Sequence, residues 1–226
     1  MRLPRLSRLP GLGGWSDDPL WAGVYDWTVE HPRLGGLAWA AAIQSDLTLL
    51  YDAAAEVGTL PAGARVLDVP CGGGVALRGL RPGQGIEYVA ADIAPTMLER
   101  TRRAARERGV LDQLVTRVAD VADLPFADGS FDLVVSFTGL HCFPDPARAV
   151  VEMVRVLRPG GVLSGSAILN DTGLRHEPLR RGGRLAGLLG PGCTGDEVVQ
   201  WLAAQGVLAP SLHRSGAMGY FRGVKG

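Results

Sequence analysis

The stretch ARVLDVPCGGG (64–74) decides how the rest of the chain is read. Five residues of β-forming, mostly apolar character end on an acid, Asp68, and three glycines follow at 72–74. A short buried strand entering a glycine turn is how a parallel α/β sheet begins its ligand crevice. The next apolar run, IEYVAADI (86–93), repeats the form and carries Asp92 at its end. Between the two runs, residues 75–81 have room only for a short helix.

Farther along, PTMLERTRRAARER (95–108) reads as a helix, with Pro95 in its first turn and Gly109 closing it. LVTRVAD (114–120) is a third strand ending in an acid, Asp120, and FDLVVSF (131–137) is a fourth. Pro146 to Leu157 is amphipathic and helical, the turn RPGG (158–161) follows, and VLSGSAI (162–168) is a fifth strand. Strands alternating with helices at this spacing predict βαβ units, hence a doubly wound, Rossmann-like α/β fold. TGDEVVQWLAAQG (194–206) predicts a helix capped by Thr194 with Glu197 three residues on, and two weaker strands then form a terminal hairpin. The expectation is a seven-stranded, mostly parallel sheet with an antiparallel C-terminal strand.

On the other side of the glycine turn, residues 1–20 are rich in Pro and Gly and read as a loose arm. Apolar residues recur at helical spacing from Leu34 to Val57, with Gly58 as a stop. The segment 170–193, rich in Arg, Gly and Leu, shows no period and reads as a long connection. The whole is expected to be one domain: arm and helix (1–58) forming a lid, cofactor core (59–168), and acceptor-side connection, helix and strands (169–226).

Composition narrows the function classes. The chain has 226 residues, 46% hydrophobic and 20% charged, which suits a folded domain. Lys plus Arg and Asp plus Glu number 23 each, so the net charge is zero and no general grip on nucleic acid or an anionic membrane is expected. No run approaches the length of a membrane span, and Cys71, Cys142 and Cys193 are too few and too scattered for a disulfide framework or zinc site. A reduced, cytoplasmic protein without membrane insertion is the expectation. Lys225 is the only lysine, which reads as codon bias.

Chemistry enters at the strand ends. Asp68, Asp92 and Asp120 converge at the carboxyl edge, where open α/β sheets bind ligands. The Gly72 turn lets a ligand approach the backbone, and Asp92, 20 residues beyond it, stands at the offset from which an acid reaches a ribose diol. A dinucleotide fingerprint would place its third glycine at Leu77, and an acid at Asp68 suits a ligand bearing an ammonium group better than a pyrophosphate.

With these residues in view, the sequence resembles the class I S-adenosylmethionine-dependent methyltransferases, most nearly the small-molecule group that includes ubiquinone and menaquinone biosynthesis. The resemblance rests on VLDVPCGGG (66–74), the AADI run around Asp92, ADVADLPFADGSFDLVVS (119–136), LHCFPDP (140–146) and LRPGG (157–161), in order over about half the chain. It implies that Asp68, Cys71, Gly72 and Gly74 hold the methionine moiety, with the acid facing its ammonium. It implies that Asp92 takes both ribose hydroxyls, with Ile93 and Met97 packed on adenine. Asp120 and the Val121 backbone would bind the adenine edge, Phe137 would line the cofactor near the sulfonium, and Tyr25 would cover it. Pro70 departs from the family pattern, which has glycine there, so that turn must be shaped differently.

Two readings stand for His141 after the fourth strand: a general base for an oxygen or nitrogen acceptor, or a residue that orders the loop. Cys71 reads as a small loop filler. Trp15, Trp21, Trp27 and Trp39 form either an aromatic lid or a glue for the arm, and Arg175, Arg180, Arg181 and Arg184 either bind an acidic substrate or make a solvated face. His176 and His213 read as surface residues. The expected activity is methyl transfer to a small-molecule acceptor. A non-catalytic S-adenosylmethionine-binding regulator shares these features, and an NAD-dependent oxidoreductase shares the sheet and Asp92.

Overall fold

The computed structural model describes residues 19–226. The expected arm (1–20) therefore lies almost wholly outside the described residues, together with Trp15 and the side chains of Trp21 and Tyr25.

Five parallel strands form the sheet's first half: β1 (Arg65–Asp68), β2 (Glu87–Asp92), β3 (Leu114–Val118), β4 (Phe131–Ser136) and β5 (Leu157–Ile168). A C-terminal hairpin, β6 (Val207–Ser215) and β7 (Met218–Lys225), completes it, with β7 antiparallel to β5. The order across the sheet is β3-β2-β1-β4-β5-β7-β6. This is the seven-stranded, mostly parallel α/β sheet that the alternation of strands and helices predicts. β5 begins earlier than the sequence suggests, because its pairing with β4 jumps from Phe131↔Leu157 to Leu133↔Val162 and residues 158–161 bulge out between them.

Alternating strand residues feed two cores, as period-two burial on both faces requires. Val66, Leu133 and Val135 join the core covered by the N-terminal helices and α4 (Pro95–Glu107), with Leu98 and Ala105. Leu67, Val89 and Val134 join the opposite core, under α5 (Pro146–Val156) and α7 (Gly195–Ala204). α7 carries the expected capping box between Thr194 and Glu197.

Three elements differ from the sequence reading. The helical period from Leu34 to Val57 is broken into α2 (Pro32–Ile43) and α3 (Thr48–Ala55), because Gln44 turns left-handed at φ 54° and its N–H caps Ala40 O. Another helix, α1 (Pro19–Glu30), precedes them. The connection 170–193 contains α6 (Glu177–Leu185), organised by Arg180, which is 3% exposed. Its guanidinium donates to Leu169 O, Gly173 O, Thr172 Oγ1 and Glu177 Oε2.

The single lysine has a structural task. Lys225 Nζ donates to Val154 O, Arg155 O and Leu157 O, three carbonyls at and just past the end of α5. One ammonium with three donors fits this cluster, whereas a planar guanidinium spreads its donors along a fork. Lys225→Met is expected to cost about 1–3 kcal/mol, measured by urea unfolding, with Lys225→Arg recovering only part of it.

Candidate active site at the carboxyl edge of the sheet

Beneath the glycine turn lies Asp68, the last residue of β1 and 1% exposed. The Tyr88 hydroxyl, from neighbouring β2, donates to its Oδ2 at 2.7 Å. Burial pushes the Asp68 carboxyl up to about 7; the Tyr88 hydrogen bond opposes the shift, and the charge of Asp92 adds to it.

Asp92 ties the turn to the following helix. Its Oδ2 accepts the Gly72 N–H at 3.0 Å and its Oδ1 the Ala94 N–H at 2.9 Å, just ahead of α4. Burial raises its pKa, and the amides of Ala94, Gly72 and Ile93 work in the opposite direction. From α4, buried Thr101 donates Oγ1 to Gly72 O at 2.8 Å, with Cys71 Sγ 3.3 Å away. Cys71 is 2% exposed, and burial drives its thiol well above the usual range, so no thiolate is available at neutral pH.

The two glycines of the motif do different work. Gly74, at φ +91°, is packed: an added Cβ would lie 2.9 Å from Leu77 Cδ1. Gly72, at φ +50°, faces open space, since an added Cβ would meet nothing within 4 Å. The open side of Gly72 beside a carboxylate is the space a ligand would fill.

The remaining expected residues surround this pair to differing degrees. Ile93 is 64% exposed, and Met97 is buried with Ala94 in a cluster of their own, apart from both cores. Ala119 N donates to Asp92 O, which brings the next loop alongside. Asp120 is exposed two residues past β3, and its Oδ1 accepts the Ala122 N–H, while Val121 packs into the α5-side core. An ion pair fixes that loop: buried Glu152 Oε2 accepts the Leu124 N–H, and half-buried Arg155 donates to Leu124 O and Phe126 O.

At the end of β4, Phe137 is buried in the core with the N-terminal helices. Pro70 follows a cis peptide bond and packs on Gly139, where an added Cβ would fall 2.5 Å from Pro70 Cδ and 2.6 Å from Ser136 Oγ. The proline thus joins the β1 and β4 loops by close contact. The backbone of Tyr25 lies in α1, and its side chain is outside the described residues.

His141 requires a correction. It is 5% exposed, and its Nδ1 accepts the Ile168 N–H at 2.9 Å. A backbone amide only donates, so Nδ1 carries no proton and the neutral ring holds it on Nε2. Burial lowers its pKa to about 4. The only lone pair of the neutral ring is thus engaged, so of the two readings this arrangement favours the residue that orders the loop over the general base. His176 is buried rather than superficial, with Nδ1 against Thr172 O at 3.0 Å. Within the arginine run, Arg180 is the internal clamp described above, and Arg181 pairs with Glu177 at the surface. Trp39 is core, whereas Trp27 stacks on His31.

Tyr88 and Thr101 escaped the sequence reading. Each is a polar residue at a core-facing position of its element, and that mismatch was the available signal. A cavity of about 820 Å³ between α2 and α3, lined by Leu37, Gln44, Tyr51 and Arg78, takes in neither Gly72 nor Asp92. Among the described residues, no cluster of His, Cys, Asp and Glu is placed to hold a metal, and no helix is long and apolar enough to cross a membrane.

Comparison with known families bears on this crevice directly. Residues 67–164 match the family described as "Methyltransferase domain". The matched segment is similar to that family over less than half of this chain. It includes Asp68, Gly72, Asp92, Asp120 and His141. The chain is 34% identical over 125 residues to the 27-O-demethylrifamycin SV methyltransferase of Amycolatopsis mediterranei, covering 55% of this chain and 46% of that protein. It is 43% identical over 100 residues to the demethylmenaquinone methyltransferase of Thermus thermophilus, covering 44% of each. The chain thus spans about half the length of these curated relatives. A solved structure of geranyl diphosphate methyltransferase in complex with SAM shares the fold, at TM-score 0.65 and 15% identity, over 78% of this chain and 83% of that one.

Two outcomes follow from the domain's crevice. Gly72→Ala should fold, with about 1–2 kcal/mol lost to the left-handed backbone, while its Cβ occupies the ligand space. Thermal unfolding checks the first and titration with S-adenosylhomocysteine the second, where a drop of at least tenfold is expected. Asp68 carries a pH signature. Its carboxyl titrates near 7 when folded and near the ordinary 3.8 when unfolded, so the folded state keeps a proton that the unfolded chain has lost. This contribution is fullest at low pH and declines as pH rises from about 4 to about 7. Urea midpoints at pH 5 and pH 8 should therefore differ more in the parent than in Asp68→Asn.

Proposed function

We propose that this chain binds S-adenosylmethionine at the Gly72–Asp92 crevice and transfers its methyl group to a small-molecule acceptor. The observation that carries the reading is the buried Asp92 carboxylate held by the Gly72 and Ala94 amides beside the empty face of Gly72. The match of residues 67–164 to the methyltransferase domain supports it.

The cofactor supplies an electrophilic methyl group on a sulfonium that leaves as a neutral thioether. Asp92 accepts hydrogen bonds from the ribose hydroxyls with the lone pairs its amide partners leave free. Gly72 lets the ligand lie against the backbone. Asp68 places negative charge under the turn, where an ammonium group offsets the desolvation that now raises its pKa. Ile93 and Met97 offer apolar surface for the base, with Asp120 and the Val121 backbone at its edge. Phe137 and the α1–α3 layer exclude water near the reacting methyl, and Tyr25 belongs to that layer. Because the leaving group is neutral, alignment of the acceptor contributes most of what the protein must supply.

Calorimetric titration with S-adenosylhomocysteine, with NADH in parallel, tests the reading. Binding of the first at micromolar strength and absence of the second is expected. Asp92→Ala should weaken it by about ten- to hundredfold, the worth of a charge-assisted hydrogen bond. Binding of NADH alone would reassign the crevice.

A further inference from the structure

A second hollow lies away from the crevice. Between α3 and the outer half of the sheet runs an open groove of about 660 Å³, within the size range of small-molecule sites, and neither Gly72 nor Asp92 lines it. Its floor is the α3-side face of β5, β7 and β6, where the register sets Ser164 beside Arg222 and Arg222 beside Ser211, with Tyr220 and His213 paired in the next row. Ser164 is 3% exposed and shares its strand face with Val162, which packs on the core under the N-terminal helices. Its Oγ has no hydrogen-bond partner among the described residues and is not sealed off, and the residue lines the groove. A hydroxyl held this deep without a partner is costly until something in the groove supplies one.

The walls carry both signs of charge. Asp52 and, one turn on, Glu56 stand on the α3 side, and Arg222 and His213 stand on the hairpin. Arg222 donates Nε and Nη2 to Glu56 Oε1 at 3.0 and 2.8 Å. Glu56 Oε2 and Arg222 Nη1 are left without partners among the described residues, as are the side chains of Asp52 and His213.

From this arrangement we infer that the groove is a second ligand site, and that it takes a free amino acid with an apolar side chain, bound as its zwitterion. A simple anion would meet Asp52 and Glu56, and a simple cation would meet Arg222, so each gains one contact and suffers one repulsion. A molecule with an ammonium and a carboxylate on one carbon presents the two charges side by side, as the outer atoms of the Glu56–Arg222 pair do. The ammonium faces Glu56 Oε2 and Asp52, the carboxylate faces Arg222 Nη1 and His213, and Ser164 Oγ completes the set. Ala53, Ala55 and Leu212 give the groove apolar surface for the side chain. The assignment does not rest on the cofactor reading, because no residue given to the cofactor lines this groove.

The test is an amide 1H–15N titration of the full-length protein with matched probes: L-leucine, 4-methylpentanoate, which lacks its ammonium, and 3-methylbutylamine, which lacks its carboxylate. L-Leucine is expected to shift the amides of Ala55, Gly165 and Leu212 saturably with a submillimolar Kd, about tenfold or more tighter than either single-charge probe. Saturating the protein with S-adenosylhomocysteine should leave that affinity unchanged to within about twofold. Asp52→Asn, at an exposed position, should weaken L-leucine about tenfold and strengthen 4-methylpentanoate. Such an exchange of preference is not produced by lost packing.

Equal affinity for the three probes would overturn the assignment and leave an apolar groove only. L-Leucine shifts confined to Gly72 and Ala94, or no saturation by about 20 mM, would overturn it as well. Each of these is read on the parent protein, so a variant that fails to fold does not decide the matter. Failure of S-adenosylhomocysteine to bind would instead sink the cofactor reading and leave the L-leucine titration fully readable.

Discussion

Two backbone amides meeting one carboxylate organise this structure. Asp92 accepts from Gly72 on one oxygen and from Ala94 on the other, joining the turn after β1 to the start of α4. Thr101 closes the same circuit from the helix side through Gly72 O. Remove the carboxylate and two buried donors lose their partner, the glycine turn loses its brace, and the open face of Gly72 is no longer aimed at an acid. Burying a charge in this way is costly, as the raised Asp92 pKa records, and a crevice that binds a diol is where such a cost has a use.

The second constraint lies across the crevice. Pro70 against Gly139, and Ile168 N–H on His141, fasten the ends of β1, β4 and β5 to one another. Proline in this turn has a fixed φ and no N–H to donate, so its place must be met by packing. Here it fills the space that Gly139 vacates, so the two departures from bulk compensate.

How much of this was legible in the sequence depends on range. Strand β2, the α7 capping box and the terminal hairpin follow from local period and turn chemistry, and the parallel sense of the first five strands follows from βαβ connection. The split at Gln44 was hidden, because a left-handed residue other than glycine leaves no compositional trace. α6 was hidden for a different reason. Its stability comes from Arg180 reaching back to Leu169 O, a contact that no periodicity encodes. At the site, Asp68, Gly72 and Asp92 were readable as strand-end acids and a glycine turn. The tautomer of His141 was not, since it depends on an amide 27 residues away. Neither was Lys225, which a reading of codon usage dismissed and which caps α5 from the last strand.

The central claim is that Gly72 and Asp92 form a nucleoside crevice. Its most direct test is an amide 1H–15N spectrum recorded with and without S-adenosylhomocysteine. The account predicts that Gly72 and Ala94, whose N–H groups share the Asp92 carboxylate with the incoming ribose, shift among the most of all amides, while Lys225 and β6 stay still. Binding that leaves both amides unmoved would place the nucleoside elsewhere and contradict the account.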